Sequence, residues 1–220
     1  SIDHVQGDPF AAPSSLHVEL PLKKAGFPEK YLEKRHTKTA LEDLILRSFS
    51  KALDQYSFKA KGSGKSGLIS TSRPGPEVMR RTAVEFNNIA LVVRFEVGFP
   101  ANGRTINAQE LEKILLEFLP EIVKTCLFYR SWEKAKIQTC YELAENQQRI
   151  REVLEERKLV AFCANGSILP RKSGVSSQPL KGAIEFQSPE SMEISIDLPF
   201  GNSIRGMGIP EGVTLIIGGG

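Results

Sequence analysis

The segment from Ile89 to Phe99 places the strongest constraint on the fold. Its side chains are largely apolar on both faces of an extended chain, including Leu91, Val92 and Val93. A strand of this kind is favoured where both of its faces are covered, which is the position of a central strand. With 40% hydrophobic residues the chain can supply that cover. We therefore expect a sheet with this segment at its centre.

The segments around this strand predict a mixed α/β fold. Residues 16–20 alternate as a half-buried strand does, and Thr39 with Glu42 is typical of a capping box at the start of a helix. Asn107 and Glu110 indicate a second helix start of the same kind. Further predicted elements are strands at residues 68–71, 159–164, 192–198 and 213–217, a short helix at residues 77–86 and a long helix at residues 121–158.

Composition argues against several classes of protein. The net charge of +3 is too small to indicate a nucleic-acid partner by itself. Cys126, Cys140 and Cys163 are widely spaced and form no Cys-x-x-Cys pair, which argues against a disulfide framework or a zinc site. No apolar run approaches the roughly 20 residues of a membrane-spanning helix. We expect a soluble protein of the cytoplasm or of an organelle matrix, with no membrane partner.

One window of the chain concentrates positive charge against a single acid, Glu77. Its basic residues, together with the weaker candidate Arg104, are Lys59, Lys61, Lys65, Arg73, Arg80, Arg81 and Arg104. One interpretation is a solvated basic face without a ligand. The other is a sequence-independent contact with a phosphate backbone, in which Phe58 is the only aromatic residue close by. Arg94 is a second weak candidate for this contact, and its alternative role is to pair with a carboxylate.

Two glycine-rich segments are candidates for a phosphate-binding loop. Residues 62–66 (GSGKS) end like such a loop, but Lys59 stands where the pattern requires its first glycine, and a strand follows where a helix is required. We interpret this segment as a flexible basic loop. Gly218, Gly219 and Gly220 instead follow an apolar predicted strand, as a phosphate loop should.

The residues before this second glycine run make it more specific. An alternating predicted strand ends near the aromatic Phe200, and the turn IPEG at residues 209–212 precedes the apolar segment. This order resembles the start of ABC-type nucleotide-binding domains, where an aromatic residue stacks on adenine. Packing at a turn is the alternative role of Phe200.

Most of the chain is similar to the ATPases of the ABC class. The segments that carry this resemblance are DHVQGDPFAAPS at 3–14, GKSGLI at 64–69, RPG at 73–75, RFEVGFPANGR at 94–104, VAF at 160–162, NGSILPR at 165–171 and GMGIPEGVT at 206–214. The basic, serine-rich composition of residues 170–179 indicates a domain boundary. We therefore expect an amino-terminal α/β domain at residues 1–170 and a linker at residues 171–182, and the resemblance implies the first strands of a P-loop domain at residues 183–220.

The resemblance further implies a complete protein that binds and hydrolyses ATP with Mg²⁺. Gly218, Gly219 and Gly220 would contact the phosphates, and Phe200 would stack on the base. It also implies a homodimer and a link to RNA or another single-stranded nucleic acid. We expect these 220 residues to be an internal piece without ATPase activity. The alternatives are a nucleic-acid-binding or dimerising module without catalytic activity, and a structural adaptor using the charged helix at residues 141–158.

Overall fold

The computed structural model describes residues 1–215 and 217. The chain divides into two compact units, Ser1–Tyr141 and Glu142–Gly220. Both helices and sheets are present, so the predicted mixed α/β class is confirmed. The domain bounds predicted from the sequence, including the linker at residues 171–182, stay a prediction.

The first unit contains an antiparallel sheet with the predicted central strand inside it. Strands β1 to β5 are Ile2–His4, Ser14–Pro21, Ile69–Ser70, Val84–Phe86 and Ala90–Val97. Strand β5 pairs along its whole length with β2 on one side and with both β3 and β4 on the other. Strand β1 pairs with the outer edge of β2. The central position predicted for residues 89–99 is therefore confirmed.

One long helix covers the sheet. Helix α1 is Leu22–Ala25 and helix α2 is Arg35–Tyr56. Because apolar residues recur in α2 at helical spacing, one of its faces is buried against the sheet. The core side chains from α2 and β5 are Leu41, Ile45, Leu46, Phe49, Leu53, Leu91, Val93, Phe95 and Val97.

The predicted capping box at Thr39 and Glu42 is wrong. Helix α2 begins at Arg35, so both residues lie inside it. Glu42 is 3% exposed, and its Oε1 accepts a hydrogen bond of 2.8 Å from the backbone N–H of Phe86 in β4. The Thr39–Glu42 pattern does not form a cap, because the carboxylate of Glu42 binds the backbone of a strand that is distant in the sequence.

The helix predicted at residues 77–86 is also wrong. Residues 76–81 have no regular structure, and β4 occupies Val84–Phe86. Val84 and Phe86 are buried opposite Val93 and Leu91 of β5, so the apolar residues here follow the period of a strand.

A hairpin and two helices follow the sheet in the first unit. Strands β6 and β7 are Ala101–Asn102 and Thr105–Ile106, and helices α3 and α4 are Ala108–Glu112 and Leu119–Cys126, separated by a π-helical stretch at Lys113–Phe118. The side chain of Asn107 accepts from the N–H of Glu110 at 3.3 Å, so this predicted helix start is confirmed.

The long helix predicted at residues 121–158 is interrupted. Helix α4 ends at Cys126, and helix α5 is Lys134–Glu156. Between them Leu127 is fully buried, and the Nε1–H of the 8%-exposed Trp132 donates to the carbonyl of Cys126 at 2.8 Å. Burying these two side chains and making this hydrogen bond favour a turn over a continuous helix.

Five short strands lie in the described part of the second unit. Strands β8 to β12 are Leu159–Ala164, Arg171–Ser173, Ser176–Pro179, Glu193–Ile196 and Ile204–Pro210. Strand β12 lies between β11 and β8, and β9 forms a hairpin with β10. A Cβ at Gly206 would lie 2.2 Å from the carbonyl oxygen of Cys163, so glycine is required for the close pairing of β12 and β8.

The strand predicted at residues 213–217 is not found. Residues 213–215 and 217 have no regular structure, and Val213 and Leu215 are exposed. Nothing within the described residues pairs with them, and a strand needs a neighbour for its backbone groups.

No helix in residues 1–215 and 217 is both long and apolar enough to span a bilayer.

Candidate functional site

The glycine-rich loop at residues 62–66 folds tightly onto its own surroundings. The N–H of Ser63 donates to the carbonyl of Ala101 at 2.8 Å, and the N–H of Lys65 donates to the carbonyl of Pro9 at 2.8 Å. The N–H of Ser66 donates to the carbonyl of Ser63 at 3.1 Å. A phosphate loop needs such amides free to face its ligand. These amides are used internally, and strand β3 follows where a phosphate loop would open a helix.

Two further hydrogen bonds bring a distant part of the chain to this loop. The N–H of Ala101 donates to Ser66 Oγ, and the N–H of Gly103 donates to Ser63 Oγ, both at 3.0 Å. The β6–β7 hairpin therefore lies against the loop, and its turn residue Arg104 joins the loop lysines. We call Lys59, Lys61, Lys65 and Arg104 the loop–hairpin surface.

All four side chains of the loop–hairpin surface are exposed. Lys59 Nζ lies 4.5 Å from the centre of the Tyr56 ring, and Lys61 Nζ donates to the carbonyl of Phe58 at 3.3 Å. In the part of the chain that the structure describes, no ion pair joins any of the four to a carboxylate. Their charge is thus available to an anion from outside.

One carboxylate lies beside this surface, but other groups already bind it. Glu110 accepts from the Lys113 side chain and from the backbone N–H of Lys61, the latter at 3.0 Å. The hydrogen bond from Lys113, followed by that from Lys61, lowers the pKa of Glu110. Glu110 therefore stays ionised and orients the loop backbone at Lys61.

The arginines of the predicted basic window are placed differently. Arg73 pairs with Asp54 at 2.6 Å. Arg81 pairs at 2.5 Å with the buried Asp43, which also receives Arg47 at 2.5 Å. These partners offset much of the charge that the sequence places in this window. Of the two roles left open for Arg94, the structure shows the pairing with a carboxylate, since Arg94 contacts Glu85 at 3.0 Å.

Arg80 lies apart from the loop–hairpin surface. It lines a cavity of about 310 Å³ together with Arg35, Lys38 and Glu42. Burial raises the pKa of Glu42, while the hydrogen bond from Phe86 and the charges of Lys38 and Arg80 act in the opposite direction. The carboxylate of Glu42 serves the packing of β4 on α2.

The structure adds an aromatic residue that the sequence reasoning missed. Phe10 is 68% exposed and comes next to Gly64 of the glycine-rich loop, although 54 positions separate them along the chain. Phe58, the aromatic residue named from the sequence, is 56% exposed. Phe10 lies in the segment at residues 3–14, which resembles the ABC class, but only the fold shows which residues Phe10 contacts.

The predicted nucleotide-binding residues lie in the second unit. Phe200 is half-buried, and its backbone N–H and carbonyl exchange hydrogen bonds with the side-chain amide of Asn146 at 3.0 and 2.9 Å. Gly218, Gly219 and Gly220 lie outside the described residues. Across residues 1–215 and 217, no group of three His, Cys, Asp or Glu side chains is placed to hold a metal ion.

Comparison with known families identifies the class of protein. The family described as ATPase of the ABC class, N-terminal, matches residues 1–130, and the P-loop domain of ABC ATPases matches residues 133–220. Together the two matches define a P-loop ATPase of the ABC class, a class that uses ATP and Mg²⁺.

The amino-terminal match covers more than half of the chain. The chain therefore belongs to the family of ATPases of the ABC class, and the resemblance found in its sequence is confirmed. No curated protein matches it.

Proposed function

We propose that these residues are part of an ATPase that binds and hydrolyses ATP with Mg²⁺, with Gly218, Gly219 and Gly220 at the phosphates and Phe200 at the base. The family matches support this role. Phosphoryl transfer needs a lysine and metal ions to offset the phosphate charge. The glycine run is not followed by that lysine within these 220 residues, so we expect no hydrolysis by them alone. Release of phosphate from ATP by the purified 220-residue chain would contradict this expectation.

We further propose that the loop–hairpin surface contacts the backbone of RNA or another nucleic acid. The observation that carries this proposal is that four exposed cations without carboxylate partners lie on the glycine-rich loop and on the hairpin hydrogen-bonded to it. Fixed, unpaired cations attract phosphates and release counterions when they bind. They read no base sequence, so the expected binding is sequence-independent.

The test is binding of the chain to a labelled single-stranded RNA between about 50 and about 200 mM salt. The chain in which Lys61, Lys65 and Arg104 are all changed to alanine should bind more weakly. Because each contact with a single strand contributes about 0.7 to the salt slope, the slope should decrease in magnitude by about 2.

A matched control removes the same charge from the second unit. It changes Arg171, Lys172 and Lys181, all exposed, to alanine. If this control loses as much affinity as the first variant, net charge and not the loop–hairpin surface accounts for binding. RNA binding that is unchanged by the loop–hairpin substitutions contradicts the proposal.

We propose in addition that the complete protein forms a homodimer, because an ABC-type site is completed by a second subunit. Sedimentation of the complete protein with ATP should give a dimer, and a monomer at all ATP concentrations would exclude the homodimer.

We also propose that the protein works in a reducing compartment, either the cytoplasm or an organelle matrix, and the three free cysteines support this proposal.

A further inference from the structure

Phe10 is held on a turn that presents its ring to solvent. The carboxylate of Asp8 accepts from the N–H groups of Phe10 and Ala11, at 2.7 and 3.1 Å. The ring is 68% exposed. Single exposed apolar residues are common on protein surfaces, so this exposure alone indicates no function.

The position of the ring beside the glycine-rich loop is more specific. The N–H of Lys65 donates to the carbonyl of Pro9 at 2.8 Å, which fixes the two segments together. A Cβ at Gly64 would lie 2.4 Å from that carbonyl oxygen and 3.1 Å from Cδ1 of Phe10. Gly64 also has a φ of +60°. Glycine at this position thus allows an exposed aromatic ring to lie against the loop that carries Lys61 and Lys65.

A small pocket continues the surface from Pro9 towards Arg104. It measures about 120 Å³. Its lining combines apolar side chains with groups that form hydrogen bonds, and includes Val5, Phe99, Ile106, Gln6, Asp8 and Arg104. An aromatic ring, a partly apolar pocket and unpaired cations therefore occur on one continuous part of the first unit.

We propose that Phe10 is a stacking platform for a nucleobase, and that it makes the loop–hairpin surface selective for single-stranded over double-stranded nucleic acid. This inference depends on the nucleic-acid binding proposed above. The faces of bases in a duplex are covered by their neighbours, whereas a single strand exposes them to aromatic side chains. In this arrangement the cations of the loop–hairpin surface contact the phosphates, and the Phe10 ring stacks on a base.

The test compares three labelled probes on the full 220-residue chain. They are an oligouridylate, the duplex that it forms with oligoadenylate, and an abasic oligomer of the same length. Phe10→Ala should weaken oligouridylate binding about 5- to 150-fold, the range expected for the loss of one stacked base. Binding of the abasic oligomer should not change. Phe10→Tyr should retain affinity, and Ile89→Ala, another exposed apolar residue, should behave as wild type.

A second measurement detects the stacking directly. The only tryptophan of the chain, Trp132, is 8% exposed. Phe10→Trp therefore adds one exposed fluorophore, whose emission oligouridylate should quench and the abasic oligomer should not. Unchanged fluorescence with bound oligouridylate would overturn the proposal.

The outcomes separate this proposal from the one it depends on. If wild type binds both single-stranded probes and Phe10→Ala binds oligouridylate equally well, the stacking role is wrong and the phosphate contact stands. If Phe10→Ala weakens both probes equally, the ring supports the fold of the turn, and the stacking role is again wrong. If wild type binds no probe, the nucleic-acid function itself fails.

Discussion

Glu42 offers a direct test of how the first unit is held together. Its carboxylate is 3% exposed and accepts the N–H of the buried Phe86 at 2.8 Å. Glu42→Leu removes the acceptor and leaves that N–H buried without a partner, which costs about 1–3 kcal/mol of unfolding free energy. Glu42→Gln keeps a carbonyl oxygen at the same place, so we expect it to stay within about 1 kcal/mol of wild type.

The effect of Glu42→Gln depends on pH, and its sign follows from the pKa. Burial raises the pKa of Glu42 above its ordinary value of 4.5. The stability that this group contributes is therefore fully present below its unfolded pKa and is lost as the pH rises through its folded pKa. Glutamine does not titrate, so Glu42→Gln should gain stability relative to wild type as the pH rises above 4.5.

The assay is urea unfolding followed by the fluorescence of Trp132, which lies in the first unit and is largely buried. Glu112→Leu, at an exposed position of α3, is the control and should stay within about 0.5 kcal/mol of wild type. If Glu42→Leu unfolds at the same urea concentration as wild type, the hydrogen bond to Phe86 does not stabilise the unit. If Glu42→Gln lowers the unfolding free energy as much as Glu42→Leu does, the charge of Glu42 stabilises the unit and its role as a hydrogen-bond acceptor does not.

Three further predictions concern other parts of the chain. Gly98→Ala would place a Cβ 1.9 Å from the carbonyl oxygen of Lys65, so it should lower the unfolding free energy by about 1–3 kcal/mol in the same urea assay; wild-type stability would contradict the close packing. Burial, followed by the charge of Asp43, raises the pKa of Cys140 to about 11. At pH 8 its alkylation by iodoacetamide, followed by mass spectrometry, should be on the order of a hundredfold slower than in urea-unfolded chain, and equal rates would refute this. Asn146→Ala removes both side-chain hydrogen bonds to the Phe200 backbone, so hydrogen exchange at the Phe200 amide should be about tenfold faster; an unchanged rate would show that the bond does not protect it.

The elements predicted correctly are those decided by local pattern. Residues 89–99 are apolar on both faces and form the centre of the sheet, and Asn107 caps α3 as its spacing with Glu110 indicates. Thr39 and Glu42 show the same cap pattern and do not form a cap. The difference is the N–H of Phe86, 44 positions further along the chain, which no local pattern shows.

The candidate site was predicted in composition but not in arrangement. The sequence grouped Arg81 with the lysines, yet its contact with Asp43, 38 positions away, commits it to a buried ion pair. Arg104 is a weak candidate in the sequence, whereas the hydrogen bond from Gly103 to Ser63, 40 positions apart, joins its hairpin to the loop of Lys61 and Lys65. Charge clustering is visible in a sequence, whereas the partner that offsets each charge is a property of the fold.

The glycines of residues 62–67 show why a glycine-rich segment alone does not identify a phosphate loop. A Cβ at Gly64 would meet the Pro9 carbonyl oxygen at 2.4 Å, and one at Gly67 would meet the Ala60 carbonyl oxygen at 2.1 Å. These glycines allow the backbone of the loop to approach the backbone of other segments. The N–H groups of Ser63 and Lys65 donate hydrogen bonds to those segments. The glycines of this loop therefore serve the packing of the loop, and the loop contains no continuous set of free amides of the kind that a phosphate loop presents.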